Sequence, residues 1–384
     1  MIRARWGGYP PGYGCGAPEG DARGAWEPQA AMEIFDMPEF DGHEHVVFGH
    51  DAATSLRAII AVHSTVLGPA AGGCRMWPYE TTAQAVADVL RLSRGMSYKN
   101  ALAGVPFGGG KAVIIGESRK AKTPELFEAF GRFVDSLGGR YVTAEDVGTT
   151  TADMANVAHA TRHVAGLGAA PGAAGGDPGP KTARGVFLGL RAAVKFRLGR
   201  GDLEGLKVAV QGVGGVGYHL CALLAAEGVR LTVADVRPAA VQRVCQEFGA
   251  RVVAADELLA LEADVLSPCA LGGVLNTQSI PQLRARIVAG AANNQLAHGQ
   301  DGVALQNAGI LYAPDYVINA GGIISVAREY YGGTEAQVLA DIEAIPGRLI
   351  EIFERARREN RPTNAVADQM ARERIGSEPH QLVA

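Results

Sequence analysis

Apolar and polar positions follow two rhythms along the chain, and the change between them divides it in two. In the first half, EHVVFGHDAATSLRAIIAVHS (44–64) reads as two β-runs joined by a polar turn. Over 81–94, Val86, Val89, Leu90 and Leu92 fall near helical spacing, with Thr81 or Thr82 as the N-cap. KAVIIGE (111–117) reads as a short buried strand. PELFEAFGRFVDSLG (124–138) reads as a helix opened by Pro124 and closed by Gly138. GRYVTAED (139–146) predicts another strand and TTADMANVAHAT (150–161) another helix. The run AGLGAAPGAAGGDPGP (165–180) is too rich in Gly, Ala and Pro for regular structure, and is expected to be an interdomain hinge or mobile loop.

Past that run the rhythm becomes strand–helix. LKVAVQG (206–212), VRLTVAD (229–235), RVVA (251–254), ADVLSPCA (263–270), ARIVAGAA (285–292) and ILYAPDYVINAGG (310–322) read as strands. Helical segments YHLCALLAAEG, AAVQRVCQEF, DELLAL and DGVALQNAG separate them. Short apolar strands alternating with helices predict right-handed βαβ units and a doubly wound parallel sheet. The charged stretch 341–374 is helix-like and is expected to pack back on the first domain or on a neighbouring subunit. The expected organisation is thus an α/β chain with one α/β domain over 32–178, joined by 341–384. A Rossmann-type doubly wound domain occupies 179–340, with a cleft between the two.

Length and composition agree with this picture. The chain has 384 residues, enough for two cored domains, and its 51 glycines suit an α/β enzyme with many tight turns. A net charge of −4 gives no drive toward nucleic acid or an anionic membrane surface. No apolar stretch approaches the roughly 20 residues a membrane helix needs. Five cysteines without a CxxC pair fit reduced thiols and a cytoplasmic setting better than a disulfide framework or a zinc site. His159 and His163 are spaced to share a helix face, but no HExxH surrounds them, so no metal is expected. Residues 1–31 are crowded with Gly and Pro and lack apolar periodicity, so a disordered leader or a misassigned start is expected, with folded sequence beginning at Met32.

Two glycine-rich motifs carry candidate chemistry. GVPFGGGKAVI (104–114) looks like a P-loop, but Val105 stands where the first glycine belongs and Ala112 where the Ser or Thr belongs. With no hydroxyl to hold magnesium, Lys111 must serve another purpose. GVGGVG (212–217) follows a strand, opens a helix, and has an acid, Asp235, at the end of the next strand, which is the context a dinucleotide site requires. Gly212 permits the tight turn, Gly214 lets backbone approach a pyrophosphate, and Gly217 allows close helix–strand packing. Val213, Gly215 and Val216 complete the loop. Asp235 is expected to bind ribose hydroxyls and repel a 2′-phosphate, favouring NAD over NADP, with Arg237 partly offsetting that repulsion.

GPAAGGCRMW (68–77), SRGMSYKNALAGVPFGGGKAVI (93–114), RYVTAEDVGTT (140–150) and AGAANNQL (289–296) form a series that continues with QGVGGVGYHLC (211–221), SPCALGGVLN (267–276) and APDYVINAGG (313–322). In this order, from Met32 to about Ile375, they resemble the glutamate/leucine/phenylalanine/valine dehydrogenase family, most nearly its leucine-oxidising members. The resemblance implies oxidative deamination of an L-amino acid to a 2-keto acid and ammonia, with NAD as cofactor, by a homo-oligomer. It implies that Lys111 and Asp146 are catalytic. Lys99, Asn294 and Gly72 are implied to hold the substrate, with Ala71, Ala144, Ile323 and Val326 lining its side-chain pocket. Thr182 and Asn319 are implied at the nicotinamide end, and Cys269 and Ala270 beside the cofactor.

The glycines before Lys111 are expected to let backbone and substrate come close. Desolvation and a second cation are expected to lower the proton affinity of the catalytic lysine. Where Ala71 stands, leucine-oxidising members carry a larger aliphatic residue, and where Ile323 stands they often carry valine, so the pocket is expected to be reshaped. None of the four pocket residues is charged, which disfavours glutamate as substrate. Three bland readings stand beside these. Asp146 alone could be an N-cap, Cys74 and Cys269 lack a His partner and read as packing thiols, and Glu145 reads as structural. An aromatic or broad-range amino acid dehydrogenase is the alternative within enzymes, and an inactive dinucleotide-binding protein the alternative outside them.

Overall fold

The computed structural model describes residues 33–376, so the leader expected over 1–31 lies outside the described residues. The first half builds one mixed sheet from β1 (His45–Asp51), β2 (Leu56–Ser64), β3 (Ala70–Ala71), β4 (Cys74–Trp77), β5 (Gly108–Ile115) and β6 (Tyr141–Val142). The strand order is β1-β2-β5-β3-β6, with β4 also on β5. β1 and β2 form the antiparallel hairpin that the alternation predicted, and β2 runs antiparallel to β5. β3 and β4 lie parallel along successive halves of β5. The glycines between them, Gly72 and Gly73, border the cavity into which Lys111 projects.

The helix read over 81–94 runs from Thr82 to Ala103, capped by the Thr81 hydroxyl, which accepts from the Gln84 amide, and ended by Gly104 in the left-handed region. Its last turns escaped the apolar pattern because they bury Ser93, Ser97 and Asn100. Small polar residues fit there because the strand they cover is glycine. Gly108, Gly109 and Gly110 belong to β5 and are no loop. A Cβ on Gly108 would collide with the Ser64 carbonyl, on Gly109 with the Ser97 backbone and hydroxyl, and on Gly110 with the Tyr141 ring. The triple glycine therefore serves helix–sheet and strand–strand contact, and not the approach of substrate. Gly109→Ala should lower stability by about 1–3 kcal/mol through overpacking, visible as a fall in Tm; an unchanged Tm would contradict this packing account.

The second half forms a wholly parallel sheet from β7 (Lys207–Gln211), β8 (Arg230–Ala234), β9 (Arg251–Val252), β10 (Val265–Pro268), β11 (Ile287–Val288) and β12 (Leu311–Tyr312). The order β12-β11-β10-β7-β8-β9 is that of a doubly wound dinucleotide fold, with the strand order reversing at β7. The strand expected over 310–322 is shorter than read. Only Leu311–Tyr312 is extended, and the rest forms the helices Asp315–Ile318 and Gly321–Tyr330. Pro314 and the small residues beyond it favour helix starts over a ladder.

The segment 165–178 has no regular structure but is tied down. Gly166 and Leu167 amides donate to the Glu329 carboxylate at 3.1 and 2.7 Å, and the Ala174 amide donates to the Gly333 carbonyl at 3.0 Å. The charged C-terminal stretch is two helices, Ile345–Glu359 and Thr363–Gly376. The first stacks Phe353 on Phe196 of helix Gly179–Leu198. The second reaches the first half, where Arg372 Nε donates to the Tyr98 hydroxyl at 2.8 Å. Among the described residues no helix is long and apolar enough to cross a membrane. Helix Thr151–Ala158 ends before His159, so His159 and His163 share no helix face. His159 meets Glu128 at 3.2 Å and His163 meets the Tyr330 hydroxyl at 3.0 Å.

Candidate active site

A cavity of about 680 Å³ is walled by both halves of the chain. Lys111 enters it from β5 and is 4% exposed. Its Nζ lies 2.9 Å from Asp146 Oδ2. Asp146 is presented by a turn in which Thr149 Oγ1 accepts from the Asp146 amide at 2.9 Å and donates to the Cys74 carbonyl at 2.9 Å. The N-cap of the following helix is Thr150, with a reciprocal Asp153 bond, so Asp146 is spared that structural duty. Burial pushes the Asp146 pKa up, but Lys111 and then Arg75 outweigh it and hold the carboxyl below its ordinary value.

Lys99 lines the same cavity from helix Thr82–Ala103. Burial pushes its pKa down to about 8, against the opposing pull of Asp315; the nearby Lys111 charge adds to the lowering. Asp315, which sequence reasoning missed, is buried at the start of helix Asp315–Ile318. Its carboxylate accepts from the Gln295 and Tyr316 amides at 3.0 and 2.9 Å, and burial raises its pKa. The signal was present as an acid behind Pro314, but it lies in a run that reads as a buried strand. Arg75 and Glu329 also border the cavity and were not singled out.

Gly72, Ala144, Asn294, Ile323 and Val326 all line the cavity with Lys99, Lys111 and Asp146. Asn294 holds a left-handed backbone, φ 53°, a cost that ordinary side chains avoid. Ala71 sits behind this wall, 1% exposed in β3 and packed in the core with Val142 and Leu102.

The glycine turn lies between β7 and helix Gly215–Ala226. Gly212 has φ +92°, and a Cβ there would come within 2.7 Å of Ala270. A Cβ on Gly217 would strike the Gly212 carbonyl. These are the turn and packing roles read from the motif. Gly214 caps the helix and Gly215 and Val216 open it, so their amides have no intrahelical partner and face outward as an anion cradle. Asp235 Oδ2 accepts from the Val213 amide at 2.8 Å. Arg237 Nε lies 3.1 Å from Asp235 Oδ1, and these bonds hold the Asp235 pKa down to about 2. Cys269 follows β10, its amide donating to the Gln211 carbonyl at 2.7 Å. Thr182 and Gly322 meet where two helices begin, with Thr182 Oγ1 3.1 Å from the position of a Gly322 Cβ. Asn319, 3% exposed, donates to the Ala291 carbonyl and to Asn293 Oδ1, yet its own Oδ1 has no partner among the described residues. A buried acceptor left open in this way suits a ligand amide. The glycine cradle and this acceptor together fit a nicotinamide dinucleotide.

A parallel dinucleotide sheet joined to a cavity holding two lysines and a carboxylate defines a nicotinamide-dependent dehydrogenase. Residues 43–163 match the Glu/Leu/Phe/Val dehydrogenase dimerisation domain, and residues 233–365 match Glutamate/Leucine/Phenylalanine/Valine dehydrogenase. The chain is 50% identical to leucine dehydrogenase of Geobacillus stearothermophilus over 90% of its length and 94% of the relative's. It is 46% identical to phenylalanine dehydrogenase of Bacillus thermotolerans, over 90% of this chain and 92% of the relative. The crystal structure of L-tryptophan dehydrogenase from Nostoc punctiforme superposes with a TM-score of 0.77 at 46% identity, covering 87% of this chain and 96% of that one. The chain belongs to the glutamate/leucine/phenylalanine/valine dehydrogenase family. It is an amino acid dehydrogenase of the leucine dehydrogenase type.

Proposed function

We propose that the protein catalyses the reversible, NAD-dependent oxidative deamination of L-leucine and related branched-chain amino acids to 2-keto acids and ammonia. The observation that carries this reading is one cavity lined by Lys99, Lys111 and Asp146 together with the apolar Ala144, Ile323 and Val326. The cationic Lys99, with Asn294, holds the substrate carboxylate. Asp146 takes a proton from the substrate ammonium, leaving the amine from which hydride loss is possible. A nicotinamide held by the glycine turn, with its amide toward Asn319, would supply the acceptor for the hydride that leaves the α-carbon. Lys111, its own proton having passed to solvent, then takes a proton from water as the oxygen adds to the iminium carbon. Asp146 returns its proton to the nitrogen and takes the hydroxyl proton as ammonia leaves and the carbonyl forms; the protons then held by Lys111 and Asp146 go one to ammonia and one to solvent.

Glu145 and Glu329 also border the cavity, and two carboxylates there oppose an acidic substrate side chain. An aromatic or broad-range specificity is the second reading, favoured by the relatives that act on phenylalanine and tryptophan. Comparing kcat/KM across leucine, valine, isoleucine, methionine, phenylalanine and tryptophan decides between them. Leucine, valine and isoleucine should lead; phenylalanine or tryptophan ahead of leucine would move the assignment to the aromatic class. No NADH from any of the six would leave a dinucleotide-binding protein without this activity.

NAD preference rests on Asp235. Its carboxylate is engaged by Arg237, whose guanidinium reaches over the glycine turn to within 3.3 Å of where a Gly214 Cβ would stand. The preference is therefore moderated, and Asp235→Ser should narrow the ratio of kcat/KM for NAD over NADP by removing charge beside a 2′-phosphate. A wild-type protein using both equally would make Arg237 the stronger determinant. The reading further takes 32–178 with 341–384 as the substrate-binding and oligomerisation unit and 179–340 as the dinucleotide unit. A cytoplasmic homo-oligomer is in keeping with the free state of the described cysteines and the dimerisation domain matched by the first half.

A further inference from the structure

We propose that Arg75 is a positioning residue for Asp146, gripping the same carboxylate oxygen that Lys111 meets, as the middle link of an alternating chain of charges that runs in from the surface. This rests on the reading of Asp146 as the carboxylate that carries protons to and from the substrate nitrogen. The chain is Arg91, Asp88, Arg75, Asp146, Lys111. Arg75 Nε lies 3.2 Å from Asp146 Oδ2, and Arg75 Nη1 lies 2.9 Å from Asp88 Oδ2. Asp88 is itself held by the Tyr79 hydroxyl at 2.6 Å and by Arg91 Nη2 at 2.7 Å.

The strand geometry explains why an arginine stands here. Arg75 on β4 is in register with Val113 on β5, two residues beyond Lys111, so Arg75 and Lys111 project from the same face of the sheet. Asp146 sits between them. A planar guanidinium can bind two carboxylates through different edges at once and so transmits a fixed geometry, whereas an ammonium is a single point charge. The anchored Asp88 fixes the plane of Arg75, and the fixed plane sets where Asp146 Oδ2 lies relative to Lys111 Nζ. A half-buried carboxylate beside only one lysine would hold its proton more tightly and rotate more freely.

Every charged group near Asp146 bears on its titration. Lys111 faces it from β5 and Lys99 from helix Thr82–Ala103. The buried Cys74 thiol and Tyr141 hydroxyl also couple to it, while Glu145 adjoins it in the chain. The thiol and the phenol are both pushed upward by burial and stay neutral, so Arg75 and Lys111 are the cations that decide the ionisation of Asp146.

The test is the pH dependence of kcat for wild type, Arg75→Gln and Arg75→Lys with saturating L-leucine and NAD. Arg75→Gln should move the acid limb of the profile up by about one pH unit and lower the plateau by a factor on the order of 10–100, with KM for leucine changed less than threefold. Arg75→Lys should return the acid limb toward its wild-type position while the plateau stays depressed, because charge is restored without the two-edged grip. Asp88→Asn, one link further out, should shift the limb the same way by less, and it carries the test if Arg75→Gln does not fold. An acid limb unmoved in both Arg75→Gln and Asp88→Asn overturns the proposal, whatever happens to the plateau. Asp146→Asn run alongside separates the two claims. Near-normal turnover in that variant refutes the reading of Asp146 itself, whereas lost turnover with an unmoved limb in the other variants refutes only the role of Arg75.

Discussion

Lys111→Ala should lower turnover by a factor on the order of 10²–10⁴, the usual worth of a positioned acid–base group, while NADH binds nearly as before. Lys111 is 4% exposed and its Nζ lies 2.9 Å from Asp146, inside a cavity whose lining includes no residue of the glycine turn. Removing it deletes the group that takes the proton of the attacking water and leaves Asp146 still paired with Arg75. The local fold should therefore survive. Asp146→Asn should give a similar loss, because an amide can neither accept nor return the nitrogen's proton. Steady-state kinetics with L-leucine, together with fluorescence titration of NADH, check both variants. A Lys111→Ala protein with near-normal turnover would sink the mechanism, and a large loss of NADH affinity would mean that the cavity and the cofactor cradle are not separate.

The second large effect concerns Lys99 and carries a definite pH sign. Burial lowers its pKa to about 8, so in the folded protein it is a cation below that pH and neutral above it. The unfolded chain keeps the proton to higher pH, so between pH 8 and the ordinary lysine range unfolding takes up a proton, and this group's contribution to stability grows with pH. Carboxylate binding runs the other way, since it needs the cation. KM for the branched 2-keto acid in the reductive direction should be flat below about pH 8 and then climb by up to about tenfold per pH unit. Lys99→Arg, which cannot lose its charge in this range, should remove that climb. Lys99→Ala should raise KM at neutral pH on the order of 100-fold, since breaking a buried charge pair costs about 3 kcal/mol. A wild-type KM indifferent to pH across 7–10 would contradict the assignment of Lys99 to the carboxylate.

How much of this was legible in the sequence depended on what each segment buries. The central strands β7 and β10 of the second sheet bury aliphatic runs, and the glycine turn with Asp235 has a spacing imposed by the dinucleotide, so both could be read directly. The last turns of helix Thr82–Ala103 could not. They face a strand of glycines and bury Ser93, Ser97 and Asn100 beside Tyr98, Ala101 and Leu102, so polar residues interrupt the hydrophobic period. The run 313–322 is short and apolar, a pattern that strands and helix starts share. In the site, Lys99, Lys111 and Asp146 were reached through the likeness of whole motifs. Arg75, Asp88 and Asp315 were not, because their meaning lies in partners brought by other elements. Arg75 stands in a motif that was quoted, yet nothing in the chain order shows that it bridges two carboxylates.

The central claim is that this cavity converts the amino-bearing carbon of a branched L-amino acid into a carbonyl with the electrons passing to NAD. The most direct measurement is the stoichiometry of the reaction of purified protein with L-leucine and NAD, following NADH by absorbance, ammonia by a coupled assay and the 2-keto acid by mass spectrometry. The account predicts that the three products rise together in equal amounts, that D-leucine gives none of them, and that Lys111→Ala suppresses all three alike. NADH appearing without ammonia, or no NADH from leucine, valine or isoleucine while an aromatic amino acid is turned over, would contradict it.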